Sequence, residues 1–549
     1  MSIIEELVDR VSARSLLILL GVSFVLWRIY VRADESMRLR RLGGARASKA
    51  PTKFPFSIDI VYGQVKATMA HKNYEWFVEF MKGAPTWDVE SRVLGRRVIL
   101  TANPENIKAI LATQFDDFGK GALFHREWSE FLGDSIFTTD GHKWHASRHL
   151  IRSMFIKERI SDLHCFESHL ETLFRAIANG GALDGENQEV DVEAGNGRPV
   201  EISDLFFRYT LDVATDFLLG KDVQSLTTLR QPFADAFNEV QRVQNILSRA
   251  GALRPLVSRR SFRAGLRTVN EFLNTYIDQT LRLGPEELAS KTKSDVQGYT
   301  FLHELASFTR DRKVIRDQLI AVLLAGRDTT AATLSWAFYE LGRHPEVVRR
   351  LRAEVLDQVG PNRPPTYRDI KDMKYLQNVM NETLRLYPAV PFNVRLALRD
   401  TLLPTGGGPN GDQPVPVLKD TSIAYSTIAM QRRADLYPSS SAPLSDEKAA
   451  AAGAAATMSG PDDFDPGRWY HWQPKPWQYV PFNGGPRICI GQQFALTEMG
   501  YVLTRMMQKF ERVESFMHEV DGGHPTLKAE IVLQPGDGVK VALWEARQQ

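Results

Sequence analysis

PFNGGPRICIGQQFALTEMGYVLTRM, residues 481 to 506, sets a loop rich in glycine and proline directly against a helical pattern. Gly484, Gly485, Pro486 and Gly491 make the loop tight. Apolar residues from Phe494 through Met499, Val502 and Leu503 recur at helical spacing, so a helix begins just after Cys489. A cysteine ahead of a helix N-terminus has its thiolate favoured by the helix dipole and by free backbone N–H groups, and Arg487 adds positive charge nearby. On residue chemistry alone Cys489 is a metal ligand, a catalytic nucleophile or an inert buried thiol, and all three stay open.

Working outward, the 549 residues are 43% hydrophobic and 24% charged with 10 tryptophans, which describes a globular chain able to bury a large core. The formal net charge of +2 gives no strong field for nucleic acid, and no DNA- or RNA-recognition motif is present. Cys165 and Cys489 are the only cysteines, which excludes a disulfide framework and a cysteine-rich zinc site and fits a reducing compartment.

The N-terminal run LLILLGVSFVLWRIYV, residues 16–31, is apolar except for Ser23 and Arg28, long enough at about 1.5 Å per residue to reach nearly across a bilayer core. Arg28 can snorkel, and Trp27 and Tyr30 suit the interface. Arg32, Arg38, Arg40, Arg41, Arg46, Lys49 and Lys53 follow, and the positive-inside rule keeps this flank cytosolic. A cleaved signal peptide is disfavoured because the basic residues follow the apolar run and no small-x-small site ends it.

Long helix-like segments at 154–179, 201–219, 262–283, 311–342 and 372–387 dominate the rest, with a short hairpin at 93–100 and strand-like pieces at 394–403, 414–418 and 421–427. Asn103-Pro104-Glu105 reads as an N-cap followed by a proline and an acidic first turn. The fold class is therefore mainly α with a minor β region. Residues 438–460 are low in complexity and read as an exposed insertion. Gly406, Gly408 and Gly411 formally satisfy G-x-G-x-x-G, but Pro409 and Asn410 lie inside it and no helix follows, so a tight turn is expected instead of a dinucleotide site.

Phe482, Gly485, Arg487, Cys489 and Gly491 satisfy F-x-x-G-x-R-x-C-x-G, and on them the chain resembles the cytochrome P450 family. The resemblance implies haem b with Cys489 as the axial thiolate of its iron, a ligand that favours O–O cleavage. It implies that Phe482 packs beside the ligand and that Arg487 pairs with a haem propionate, while Cys165 is structural. Trp144 and Arg148 in GHKWHASRHL would by themselves be a cation-π pair. They match the family's W-x-x-x-R, whose side chains reach the propionates, and Arg395 in PFNVRLALRD stands where related sequences place another propionate partner. Glu382 and Arg385, three residues apart in NETLRLYP, alone suggest a surface ion pair. The family joins this E-x-x-R to an arginine of a later P-E-R-[FW] segment, here Pro466-Gly467-Arg468-Trp469, with Gly467 departing from the usual acid. A structural network of Glu382, Arg385 and Arg468 under the Cys489 loop is implied.

LLAGRDTTAATLSW, residues 323–336, is similar to the family's central helix, [AG]-G-x-[DE]-T-[TS]. Gly326 and two successive threonines are locally unfavourable there, by about 1 kcal/mol at the glycine, and such a conflict often marks a functional site. A hydroxyl bonded back to its own helix can open a groove, and an acid beside it can relay protons. By resemblance Thr329 stabilises the activated oxygen and Asp328 feeds it protons.

The expected organisation is thus a P450 fold behind a membrane-anchor helix: a short lumenal N-terminus (1–15), a transmembrane anchor (16–31), a basic linker (32–60) and a haem-thiolate monooxygenase domain (61–549). No flavin or nicotinamide motif is present, so electrons from NADPH are expected through a separate NADPH-cytochrome P450 reductase, at the endoplasmic reticulum membrane with the catalytic domain cytosolic. A haem-thiolate isomerase or a haem sensor would not need Asp328 and Thr329, and both are present. FGKGALFHREWSEFLGDSIFTTDGHKWHASR and RDTLLPTGGGPNGDQPVPVLKDTSIAYSTIAMQRRADLY resemble the fungal branch that hydroxylates n-alkanes and fatty acids at or near the chain end, Gln431 departing from a frequent histidine. The expected substrate is a lipophilic long-chain alkane or fatty acid oxidised with O2, the alternative being tailoring of a fungal terpenoid or polyketide.

Overall fold

The computed structural model describes residues 13–155, 163–291, 300–438 and 459–546. Most of the expected insertion at 438–460 and the first residues of the expected lumenal segment lie outside these. The apolar N-terminal run is helical, and its helix, Ala13–Leu42, extends well past residue 31. Residues 32–42 are therefore not linker. Arginine, glutamate, methionine and leucine there are good helix formers, and tertiary contacts hold the end: Arg38 donates to Asp400 at 2.6 Å, Arg92 pairs with Glu35, and Leu39 is buried. From Leu16 the helix is long and apolar enough to cross a membrane, and none of that window is covered by the rest of the chain. A second helix, Ile58–Met69, starts within the expected linker.

Five helices fall close to the expected spans: His164–Asn179, Ile202–Leu219, Arg260–Arg282, Arg312–Leu341 and Lys374–Leu386. The first begins later than residue 154, since Ser153–Phe155 is a 3-10 turn and 156–162 lie outside the described residues. Arg312–Leu341 is the central helix, with Asp311 as N-cap accepting from the backbone of Lys313 and Val314. Its first part, Ile315 to Leu324, belongs to one apolar cluster; its last part, Ala331 to Leu341, belongs to another. Ala325 to Thr330 lie between the two, so the polar interruption read in the sequence marks the gap between two cores.

A six-stranded sheet carries one further arm of the site. Asp88–Val93 and Arg96–Thr101 form its hairpin, turning at Leu94 and Gly95, both with positive φ. Arg96–Thr101 then pairs in parallel with Ser422–Ser426, which pairs with Phe392–Ala397, and Phe118–Gly119 closes the edge. The single strand expected at 394–403 is two, Phe392–Ala397 and Thr401–Gly407, in different sheets. Buried Asp117 breaks the run by accepting from Arg399 and from the Thr401 hydroxyl. Thr401–Gly407 and Gln413–Val417 form a hairpin whose connection contains Gly408 and Gly411, so the formal glycine motif is a turn. Asn103 caps as expected, accepting from Glu105 N at 3.0 Å, although the α-helix it starts, Pro104–Lys108, is short and passes into a π-helical turn.

Candidate active site

The Cys489 loop is pinned at both ends of its curve. Cys489 N donates to the Phe482 carbonyl at 3.0 Å, and the helix Gln492–Lys509 follows. Gly485 has φ +65°, and a Cβ there would stand 2.0 Å from the Leu111 carbonyl oxygen, so the loop can lie against the 109–113 turn only without a side chain. Between this loop and the central helix is a cavity of about 1100 Å³ whose wall includes Phe482, Cys489, Gly326 and Thr329.

Cys489 is enclosed by protein but has free surface, because it faces that cavity. Burial pushes its thiol up, against the Gly491 N–H and Arg148, which favour the thiolate. The charged setting expected from sequence is thus corrected: Arg487 is turned to Asp140, at 2.6 Å, and does not act on Cys489. Desolvation outweighs the remaining polar help, and a bound metal cation is what would hold this sulfur deprotonated. Cys165 stands elsewhere, with its sulfur 3.5 Å from an Asp216 carboxylate oxygen between two helices.

Four cations meet in the same wall: Arg148, Arg395 and Arg487, and in addition Lys120, which sequence reasoning missed. Arg487 also donates to the Ile136 and Thr139 carbonyls, and its plane lies 4.6 Å from the Trp144 ring centre. Arg148 donates to the Ile488 carbonyl at 3.0 Å and lies over the same ring. Buried Arg395 bonds to Asn393 and the Val394 carbonyl. Burial, then Arg395, push Arg487 down to about 10, and burial, Arg395 and Arg487 push Lys120 well below its ordinary value. Asp140 is the one carboxylate ion-paired to this group among the described residues, and Arg487 Nε is buried with no hydrogen-bond partner. A cluster so undercompensated suits a dianion such as the two propionates of haem. The signal for Lys120 was its basic charge in an otherwise apolar segment, but contact with Arg395, 275 positions later in the chain, is visible only in three dimensions.

On the central helix the Thr329 hydroxyl donates to the Ala325 carbonyl at 2.7 Å, and a Cβ added at Gly326 would meet nothing within 4 Å. The back-bonded threonine and the open groove beside it coincide. Asp328 does not join them in the wall: adjacent residues on a helix point about 100° apart, and Asp328 is buried beside Arg327 at 3.5 Å. Burial raises its carboxyl, opposed by Arg327 and Gln241. Glu498, also missed, does line the cavity; burial pushes it up to about 8 against a Thr330 hydrogen bond, and its Oε1 has no partner.

Beneath the loop, Glu382 accepts from Arg385 and Arg468, each at 2.8 Å, and all three side chains are fully buried. Trp469 Nε1 donates to the same carboxylate at 3.0 Å. Arg385 and Arg468 further bond to the carbonyls of Pro461, Gly460 and Asp463. Gly467 stands in place of an acid, and its N–H donates to Asp465, which caps the turn. Gln431 bridges two elements where a histidine is frequent. Its amide donates to the Leu384 and Arg385 carbonyls and its oxygen accepts from Val480 N, tying the helix to the start of the cysteine loop.

Residues 51–441 and 458–537 match the sequence model of the family described as Cytochrome P450. The chain belongs to the cytochrome P450 family. It is 50% identical over its whole length to cytochrome P450 monooxygenase pvhE of Talaromyces variabilis, covering 99% of that protein. It is 36% identical to cytochrome P450 52A13 of Debaryomyces hansenii over 89% of each chain, and 35% identical to cytochrome P450 monooxygenase alt2 of Alternaria solani over 92% of each. The cytochrome P450DA heme domain superposes with a TM-score of 0.69 at 20% identity, over 91% of this chain and 98% of that one, which shows the shared fold. The P450 fold is thus the architecture, the enzyme is a monooxygenase, and the family implies a haem iron held by a thiolate.

Proposed function

We propose that this cytochrome P450 uses Cys489 as its iron ligand and hydroxylates a long aliphatic chain at or near its end. The observation that carries the proposal is the cavity itself: the one thiol in its wall shares it with a mostly apolar lining that includes Leu123, Phe124, Ala325, Val390 and Phe392. A terminal methyl C–H is stronger than its methylene neighbours, so such walls must present the chain end and exclude the rest. In balance, R–H, O2, two electrons and two protons give R–OH and water.

Haem, when bound, supplies the iron at which O2 is reduced and its oxygen inserted. Arg148, Arg395, Arg487 and Lys120 hold its propionates by charge, Trp144 backs Arg148 and Arg487, and Phe482 shields the sulfur side. Thr329 Oγ1, freed from the Ala325 carbonyl, donates a hydrogen bond into the groove at Gly326. Asp328, whose burial favours the protonated carboxyl, is the proton store one residue behind it. Electrons come from NADPH through the P450 reductase. The substrate reaction is tested by reconstituting the enzyme with its reductase and offering dodecane and C12 to C18 fatty acids. Chain-end hydroxylated products are expected; no spectral binding shift and no product from any of them overturns the aliphatic reading and leaves tailoring of a bulkier fungal metabolite.

We place the enzyme at the endoplasmic reticulum membrane through a single pass of the N-terminal helix. Deletion of residues 1–31 is expected to release most of the protein from washed membranes while Glu35 and Arg38 keep their contacts with Arg92 and Asp400. A truncated protein that still pellets wholly after a high-salt wash shows that other apolar surface is the anchor.

A further inference from the structure

Besides Arg97, which is bonded to Glu90, and the exposed hairpin residue Arg96, the cations of the cavity wall fall into two sets. Lys120, Arg148, Arg395 and Arg487 act on one another, as the depressed Arg487 and Lys120 show. Arg249 lines the same cavity but belongs to none of this: the only charge that shifts it is Glu530. It sits in the last turn of the helix Pro232–Arg249, where one nitrogen, Nη2, donates to the Ala529 carbonyl at 2.5 Å across to the hairpin Leu527–Ala529 and Leu533–Pro535. Four of its five N–H donors remain, and among the described residues no carboxylate stands within ion-pair distance of it. Glu530, in the same wall, is taken up by Lys528 at 3.6 Å. Neighbouring arginines are already committed, Arg254 to Glu127 at 3.1 Å and Arg242 to Glu239 at 2.7 Å.

A guanidinium that is partly desolvated and faces a mostly apolar cavity is favoured when an anion meets it, and its planar fork fits a carboxylate through two parallel bonds. Asn245, one helical turn earlier and therefore on the same face, also lines the wall and adds an amide donor beside it. Aliphatic walls, a cysteine in one part of the cavity and a cation without an ion-pair partner in another are what an amphiphile with one charged end requires.

We propose that Arg249 binds the carboxylate of a long-chain acid, so that the aliphatic substrate of this enzyme is an acid in preference to an alkane. This rests on the aliphatic reading above and narrows it. The test uses the haem-loaded full chain and the absorbance shift that ligand binding causes, with dodecanoic acid, methyl dodecanoate and dodecane as probes at neutral pH. The wild type is expected to bind the acid more tightly than the ester. Arg249→Met is expected to weaken the acid at least tenfold more than it weakens the ester or the alkane, and Arg249→Lys to recover part of that loss. Equal weakening of acid and ester, or acid binding unchanged within twofold in Arg249→Met, overturns the role of Arg249 while the aliphatic reading stands. No shift from any of the three probes with the wild type overturns both.

Discussion

Cys489→Ala is expected to abolish the carbon monoxide difference band that characterises a thiolate-ligated haem, and with it all monooxygenase turnover. Only a thiolate opposite carbon monoxide produces that band, and Cys489 is the only sulfur of a cysteine in the cavity wall. Cys165→Ser is the control: its sulfur lies by Asp216 and the Val213 carbonyl, outside the cavity, and the band should be retained. Burial pushes the Cys489 thiol up, so a bound iron cation would be what favours its thiolate. Persistence of the band in Cys489→Ala ends the assignment of this residue as ligand.

Glu382→Ala is expected to prevent accumulation of haem-loaded protein. The substitution leaves Arg385 and Arg468, both fully buried, without their shared carboxylate. Removing one partner of a buried ion pair costs roughly 3–5 kcal/mol, a large part of the roughly 5–15 kcal/mol that holds a typical protein folded. Here two arginines and the Trp469 indole lose the same acceptor. The damage should reach the cysteine loop, since Gln431 ties the end of the Glu382 helix to Val480. Haem-to-protein ratio and thermal unfolding measure this together; a variant with wild-type haem content and midpoint shows that the network is dispensable.

Motifs whose parts lie close together in the chain are legible from the sequence. The Cys489 loop, the central helix and the Asn103 cap each depend on neighbours within a few residues, and their backbone geometry follows from glycine, proline and capping chemistry. The break in the strand expected at 394–403 was not legible, because its cause, Asp117, is far away in sequence. The helical extension through Leu42 was hidden for a similar reason: basic residues after an apolar run read as a linker until Asp400 and Arg92 are seen to receive Arg38 and Glu35.

By itself the sequence determined the thiol and its loop, the interrupted central helix, the mainly helical class and an apolar N-terminal helix, since each is set by local spacing and residue type. Tertiary structure alone decided which side chains share the cavity. Thr329 faces it and Asp328 does not, because one residue of helix turns the side chain by about 100°. Lys120 joins Arg395 and Arg487, and Arg249 stands apart from them, because charge acts through space over a few ångströms and without regard to distance along the chain.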